Sequence, residues 1–341
     1  MHRFAVANAR TVAEAAAAAL TTVARAMTVP PESIGRDEPS VVKAGGIDVL
    51  DLMKEGLLAP AKLVNLREVP GLDEVVEEDG GLRIGPMVTL AALADHALLR
   101  RHCAMLGEVL RASASPQIRN VATLGGNLLQ RPRCWYFRSH AYHCLRKGGG
   151  HCFAISGENQ YHAIFNNVPC AIVHPSTIAT ALVALDATVE LTAASGATRR
   201  LALEDFFIPP ERDLQRENDL RPQEILTAVR LPKLPDSLRT AHMRQGEKDS
   251  FDWPLADVAV ALDVGPDGIC KRASITLGAA APVPHRAKSA QAALTGKRID
   301  ETTAAQAAQA ALDGATPLAK NAYKLPLFET LVRRAILKAV A

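Results

Sequence analysis

The stretch from Ser115 to Cys170, which opens SPQIRNVATLGGNLLQRPRCWYFR, constrains this chain more than any other. Its first part is a turn of small residues, with Thr123, Gly125, Gly126 and Asn127 offering a hydroxyl, an amide and backbone N–H groups within five positions. Glycine there lets the backbone come close to a pyrophosphate, because a Cβ would hold it away. The spacing fits neither the Walker pattern nor G-x-G-x-x-G, so it permits phosphate binding without naming a fold. Four cysteines follow, Cys134, Cys144, Cys152 and Cys170, separated by nine, seven and seventeen residues. Zinc sites favour C-x2–4-C pairs, and bacterial ferredoxin spacing is also absent. Arg131, Arg133, Arg138, Arg146 and Lys147 surround the thiols. Positive charge lowers thiolate pKa values and offsets the charge of a thiolate-bound cluster. Spacing and charge together leave iron–sulfur ligation, zinc, disulfides and unlinked thiols all open.

The rest of the chain reads as scaffold. At 341 residues and 48% apolar it can bury the core of two or three domains. The 39 basic and 36 acidic residues leave a net charge of +3, too even for a nucleic-acid partner. No uncharged apolar stretch is long enough to cross a membrane. TVAEAAAAAL resembles an export signal only superficially: Glu14 interrupts it, no basic cluster precedes it, and Thr11 with Glu14 reads as a capping box. The expected location is cytoplasmic, or periplasmic by co-export with a signal-bearing partner. A chain without an export signal of its own has little use for disulfides.

In order, FAVANA is a short strand and 11–26 an Ala-rich helix, followed by a linker over Pro30, Pro31 and the charged run to Pro39. Val41 and Val42 end a strand, Gly45 and Gly46 turn, and 48–55 is a helix burying Leu50 and Met53. Strand, glycine turn and helix start form a second place for an anion. Residues 62–69 and 81–93 are strands, the latter running into a helix of some twenty residues that buries Cys103 and ends at Pro116. Residues 131–170, rich in Tyr, His and Gly, are an inserted excursion. A helix over 174–187, strands over 188–194, 198–207 and 224–232, and a boundary near Pro232 follow. Beyond it, 269–281 alternates as a half-buried antiparallel strand starting at a structural Cys270, and helices over 300–312 and after Pro326 close an α+β chain. Internal repeats, a catalytic triad and paired carboxylates are absent, so no catalytic residue is expected.

ATLGGNLLQRPRCWYFR, the cysteine loop, HPS and ALVALDA together resemble the FAD-binding medium subunit of molybdenum hydroxylases. The match is narrower to the branch with an additional [4Fe-4S] loop. VVKAGGIDVLDLM, VNLREV, LRIGPMVTLAAL, SFDWPLADVAVAL, LGAAAPVPHRA and NAYKLPLFETLVRRA extend the likeness over nearly the whole chain. The resemblance implies a PCMH-type two-subdomain FAD fold over 1–232 (subdomains about 1–60 and 61–232, with the cluster loop at about 131–170). A C-terminal α+β domain of CO-dehydrogenase flavoprotein type would follow over 233–341.

It also implies roles. Val41, Val42, Lys43, Ala44, Gly45, Gly46, Ile47 and Asp48 would form the first FAD loop, around the pyrophosphate. Thr123, Leu124, Gly125, Gly126 and Asn127 would form the second, reaching the ribityl and diphosphate. Ser113, Leu226 and Arg244 would be further contacts, the last two beside the flavin. Cys134, Cys144, Cys152 and Cys170 would hold a [4Fe-4S] cluster. Relatives commonly read HPSD with the Asp on FAD, and Thr177 stands there instead; Arg244 replaces a Lys, keeping charge but not shape. The implied partners are a large molybdenum-cofactor subunit and a small subunit with [2Fe-2S] clusters, from which FAD takes electrons singly and passes them to an external acceptor. Competing readings are a self-sufficient flavin oxidoreductase acting on a small molecule, and a zinc- or disulfide-stabilised interaction module.

Overall fold

The structure, a computed structural model, describes residues 3–28, 40–249 and 251–341; the expected linker at Pro30–Pro39 lies outside them. Among the described residues, twelve strands form three sheets. A parallel sheet has the order β1 (Ala5–Asn8), β3 (Lys62–Asn65), β2 (Ser40–Lys43). It therefore takes a strand from beyond residue 60. A five-stranded antiparallel sheet runs β4 (Val75–Glu78), β5 (Gly81–Ile84), β8 (Glu224–Leu231), β6 (Thr188–Ala193), β7 (Thr198–Ala202). A four-stranded antiparallel sheet runs β12 (His285–Arg286), β11 (Cys270–Gly278), β10 (Ala256–Val264), β9 (Leu238–Gln245).

The seams between these units fix the site. On β8, Ile225 packs into the core of the parallel layer and its neighbour Leu226 into the large core behind the five-stranded sheet. Strand residues alternate faces, so one strand joins two cores. The helix Thr177–Ala184 is buried over Ile178–Ala184 and packs on the helix Ala104–Ala112 and on β10 and β11. It precedes β6 of the five-stranded sheet in the chain, yet it covers β10 and β11 of the four-stranded sheet.

Several elements depart from the sequence reading. The helix expected over 11–26 is two, Val12–Ala18 and Val23–Ala26. Ser40, at the start of β2, captures the intervening backbone: its Oγ accepts from Leu20 N at 3.3 Å and its carbonyl from Thr21 N at 3.3 Å. Thr11 does cap the first helix, accepting from Glu14 N at 3.0 Å, while the Glu14 carboxylate takes Arg10 N at 2.8 Å. The second helix spans Ile47–Lys54 and buries Val49, Leu52 and Met53, leaving Leu50 half-buried. The long helix expected to end at Pro116 is three, Leu90–Ala94, Ala97–His102 and Ala104–Ala112, folded back so that Arg111 donates to Ala94 O at 2.8 Å. Cys103 is buried at a break in it, its thiol pushed up to about 11 by burial. Pro116 starts a helix, Pro116–Arg119, capped by Ser115.

The strand expected over 198–207 stops at Ala202, and Leu203–Phe206 turns helical to bury Leu203 and Phe206. β11 is not half-buried: Ser274 and Thr276 are as buried as Ile275 and Leu277, because helices cover both of its faces. On one side lie Lys288–Leu294, a helix with no counterpart in the sequence reading, and Lys324–Val340, which carries Pro326 in its first turn; Glu301–Ala310 packs on both. Among the described residues no helix is long and apolar enough to cross a membrane.

Candidate functional site: one cleft and one thiol pocket

A cleft of about 340 Å³ opens where the three units meet. That is within the range of small-molecule sites. Val42, Ala44, Gly45, Gly46, Ile47, Asp48, Ser113, Thr123, Gly125, Gly126, Asn127, Thr177, Leu226 and Arg244 all line it. Val41 and Leu124 instead lie in core clusters, and the Lys43 ammonium turns back to Ala44 O at 3.3 Å and Asn65 Oδ1 at 3.4 Å.

The two glycine turns do different work. Gly45 has no room for a side chain: a Cβ would stand 2.1 Å from Val121 O, so the first turn presses on the segment that leads into the second. Gly46 has φ +94° and begins the helix Ile47–Lys54 without a side-chain cap. The leading N–H groups of that helix stay available to an outside acceptor. The second turn was expected to offer free N–H groups and does not. It is a one-turn helix, Leu124–Leu128, whose donors are spent internally: Leu124 N on Val88 O at 3.0 Å, Gly125 N on Pro86 O at 2.8 Å, Gly126 N on Thr123 Oγ1 at 3.2 Å, and Asn127 N on Thr123 O at 2.9 Å. Gly125 is small because a Cβ would meet Pro86 Cβ at 2.7 Å, a demand of packing rather than of a ligand.

The remaining walls are linked. Ser113 Oγ donates to Val109 O at 2.7 Å and shares a 3.0 Å hydrogen bond with Thr177 Oγ1. Ser176 Oγ donates to Asn127 Oδ1. Arg244 spans the rim, donating to Ala112 O at 2.7 Å and Asp252 O at 3.1 Å. Asp48 faces the cysteine loop: its carboxylate accepts from Arg131 N at 2.9 Å and Arg138 Nη2 at 2.7 Å, with Arg133 Nη2 at 3.1 Å. Sequence reasoning missed Arg131, Arg216, Glu217, Arg221 and the exposed Trp253 as cleft residues. Arg133, adjacent to Cys134, stacks 5.2 Å from the Trp253 ring and so ties the cysteine loop to the cleft rim.

Behind this wall the loop converges. Cys134, Cys144, Cys152 and Cys170 line one pocket with Arg146, His162 and Phe137. The space between them is about 10 Å³, room for a single water-sized sphere. None of the six cysteines is joined to another in a disulfide. Among the described residues no three His, Cys, Asp or Glu side chains are grouped to hold one metal ion. Burial pushes the Cys134 thiol up to about 12, and His162 Nε2 lies 3.3 Å from its sulfur. A hydrogen bond with Cys170 lowers Cys152 to about 6 and raises Cys170. Arg146 is fully buried and has no partner at Nε or Nη2, and His162 Nδ1 is likewise unpaired.

Comparison with known proteins shows the family of the chain. Residues 4–234 match the FAD binding domain in molybdopterin dehydrogenase, and 241–339 the CO dehydrogenase flavoprotein C-terminal domain. The aldehyde oxidoreductase FAD-binding subunit PaoB of Escherichia coli K12 is 37% identical over 87% of this chain and 91% of its own length. The carbon monoxide dehydrogenase medium chain of Afipia carboxidovorans is 28% identical over 87% and 88%. Among solved structures, quinoline 2-oxidoreductase of Pseudomonas putida 86 superposes with a TM-score of 0.73 at 25% identity, over 99% of this chain and 97% of that one. The carbon monoxide dehydrogenase of Hydrogenophaga pseudoflava shares the fold at a TM-score of 0.75 and 22% identity, over 99% and 98%. The chain belongs to the family of FAD-binding medium subunits of the xanthine dehydrogenase and carbon monoxide dehydrogenase type, oxidoreductases of the molybdenum hydroxylase class.

Proposed function

We propose that this chain is the FAD- and [4Fe-4S]-binding electron-transfer subunit of a three-part aldehyde oxidoreductase or hydroxylase. A large partner would carry the molybdenum cofactor and a small one the [2Fe-2S] clusters. The observation that carries the reading is the meeting of both glycine turns, Ser113, Thr177, Leu226 and Arg244 in one cleft, with the four-thiol pocket directly behind it.

FAD, when bound, supplies the step between single-electron and two-electron chemistry. The chain's own residues bind and orient it. The uncapped start of Ile47–Lys54 suits the diphosphate, and neutralisation of Asp48 by the guanidiniums of Arg133 and Arg138 removes the negative charge that would oppose it. Thr123, Gly126 and Asn127 suit the ribityl chain, and Leu226 and Arg244 the flavin ring. With a domain division at residue 232, all of these contacts except Arg244 would fall in the first domain.

Two features support a cluster in the thiol pocket. The donor set is four thiols, the set that holds an iron–sulfur cluster, though a zinc ion can use it too. Arg146 and His162 bring buried donors with no partner, as an anionic cluster needs. Loading it requires the thiols to spread from their present 10 Å³. The test is anaerobic purification of the chain with its partners, followed by visible spectroscopy and flavin and iron analysis. One FAD and four irons per chain beyond those of the small subunit are expected. Flavin without that iron would remove the cluster, neither would remove the whole reading, and substrate turnover by the isolated chain would favour a self-sufficient flavoenzyme.

A further inference from the structure

Three buried charged side chains run from the cleft to the thiol pocket. Arg131 and Glu217 line the cleft, Arg146 lines the pocket, and Glu217 sits between the two guanidiniums. Arg131 donates to Glu217 through Nε to Oε2 at 3.0 Å and Nη2 to Oε1 at 2.8 Å, while Arg146 Nη1 donates to the same Oε1 at 2.6 Å. Arg131 is 2% exposed, Arg146 1% and Glu217 8%. Arg131 is further held by Gln215 O at 2.6 Å, by Met27 Sδ at 3.0 Å and by the face of Phe137 at 4.9 Å. Arg146 Nε and Nη2 find no partner among the protein's oxygens and nitrogens and lie beside the cysteines, with Cys170 adjacent to the guanidinium.

Such a trio is costly as a stability device, since apolar residues of similar volume often replace buried ion pairs without loss. Its arrangement has a different use. The net charge is +1, the surrounding dielectric is low, and its two ends sit on two different binding sites. In that setting a single charge acts over several ångströms with little screening.

We propose that Glu217 is a positioning residue that couples the two cofactor sites electrostatically, holding Arg146 against the thiol pocket and Arg131 against the flavin cleft so that the charge of the trio sets both reduction potentials. This rests on the reading that both sites are occupied. Positive charge near a redox centre favours its reduced form and raises its potential. Neutralising Glu217 makes the trio +2, neutralising Arg146 makes it 0, and neutralising both restores +1.

The experiment uses the assembled complex and follows the cluster by EPR and the flavin by absorption during redox titration of wild type, Glu217→Gln, Arg146→Gln and the double variant. At the ambient potential where half of the wild-type cluster is reduced, Glu217→Gln should be mostly reduced and Arg146→Gln mostly oxidised. The double variant should return to near half, and the flavin should shift in the same order by less. Loosened packing that lets in water would move both single variants the same way, and that result overturns the coupling. If a single variant fails to assemble, the double variant decides: a potential near wild type supports the proposal and a displaced one overturns it. Absence of the extra iron from the wild-type complex would mark failure of the cluster reading itself, and the coupling would fall with it. Iron present with potentials that ignore the charge would sink the coupling alone.

Discussion

Gly45→Ala isolates what the contact between the two loops is for. The added Cβ would lie 2.1 Å from Val121 O, where ordinary contact begins near 3.4 Å, so the loops must part by about 1.3 Å. Neither atom is the tip of a flexible side chain, and overpacking of this kind costs about 1–3 kcal/mol. Without ligand the first turn is free to retreat toward the open cleft, so the melting temperature of the flavin-free protein should change little. With ligand, the turn must return to give the uncapped helix start to the diphosphate, and the cost then appears in affinity. At 1.4 kcal/mol per tenfold, FAD should bind about 5–150-fold more weakly. Titration of deflavinated protein with FAD, read by quenching of flavin fluorescence, measures this directly. Gly150→Ala is the control, because a Cβ there meets nothing within 4 Å. FAD affinity within twofold of wild type for Gly45→Ala would refute the reasoning, since the two loops would then not need their present spacing to hold the cofactor.

Three further outcomes follow from the geometry. Thr177→Val removes the hydroxyl bonded to Ser113 and should cost about 1 kcal/mol, measurable by chemical denaturation, with weaker FAD retention on gel filtration. Asp48→Asn removes the charge that gathers Arg133 and Arg138 and should destabilise by about 2 kcal/mol, the worth of a hydrogen bond to a charged group, with iron lost from the purified complex before flavin. Lys324 is fully buried, donates to the carbonyls of Tyr161, His162 and Ala279, and is lowered by burial from 10.5 to about 7. Between those pH values the unfolded chain binds more protons through this group than the folded one, so its contribution makes stability rise from pH 7 to about 10.5. In Lys324→Met that part of the rise should vanish from denaturation midpoints taken across the range; an unchanged pH slope would mean the amine titrates alike in both states.

Legibility in the sequence followed the length scale of each cause. The glycine turns and the cysteine loop could be read because their chemistry is concentrated within a few dozen residues, and the blocks surrounding them resemble a family whose architecture the structure shares. The internal satisfaction of the Thr123–Asn127 donors could not, because two of the acceptors, Pro86 and Val88, belong to a segment some forty positions earlier. The Arg cluster on Asp48 and Asp51 spans 82 to 90 positions and has no local pattern. The same is true of Glu217, which lies 71 positions from Arg146 and 86 from Arg131. The helix break at Thr21 was hidden because a tertiary partner, Ser40, ends the helix, and the break at Cys103 was hidden because no glycine or proline marks it. Ser274 and Thr276 read as solvent-facing because the helix that covers them is encoded ninety residues upstream.

That helix, Thr177–Ala184, has a consequence for how such chains can be recombined. Gly278 lies so close to it that a Cβ would stand 2.4 Å from Thr180 Oγ1 and 2.5 Å from Asp257 Oδ2. The fit is between a helix within the first matched family domain, residues 4–234, and two strands within the second, residues 241–339. A chimera joining the first 232 residues of one relative to the remainder of another would inherit unmatched surfaces at this seam even where each half is sound. Exchange of the C-terminal half between relatives should succeed only when residues 177–184 travel with β10 and β11, so the unit of inheritance here is a packing layer rather than a contiguous length of chain.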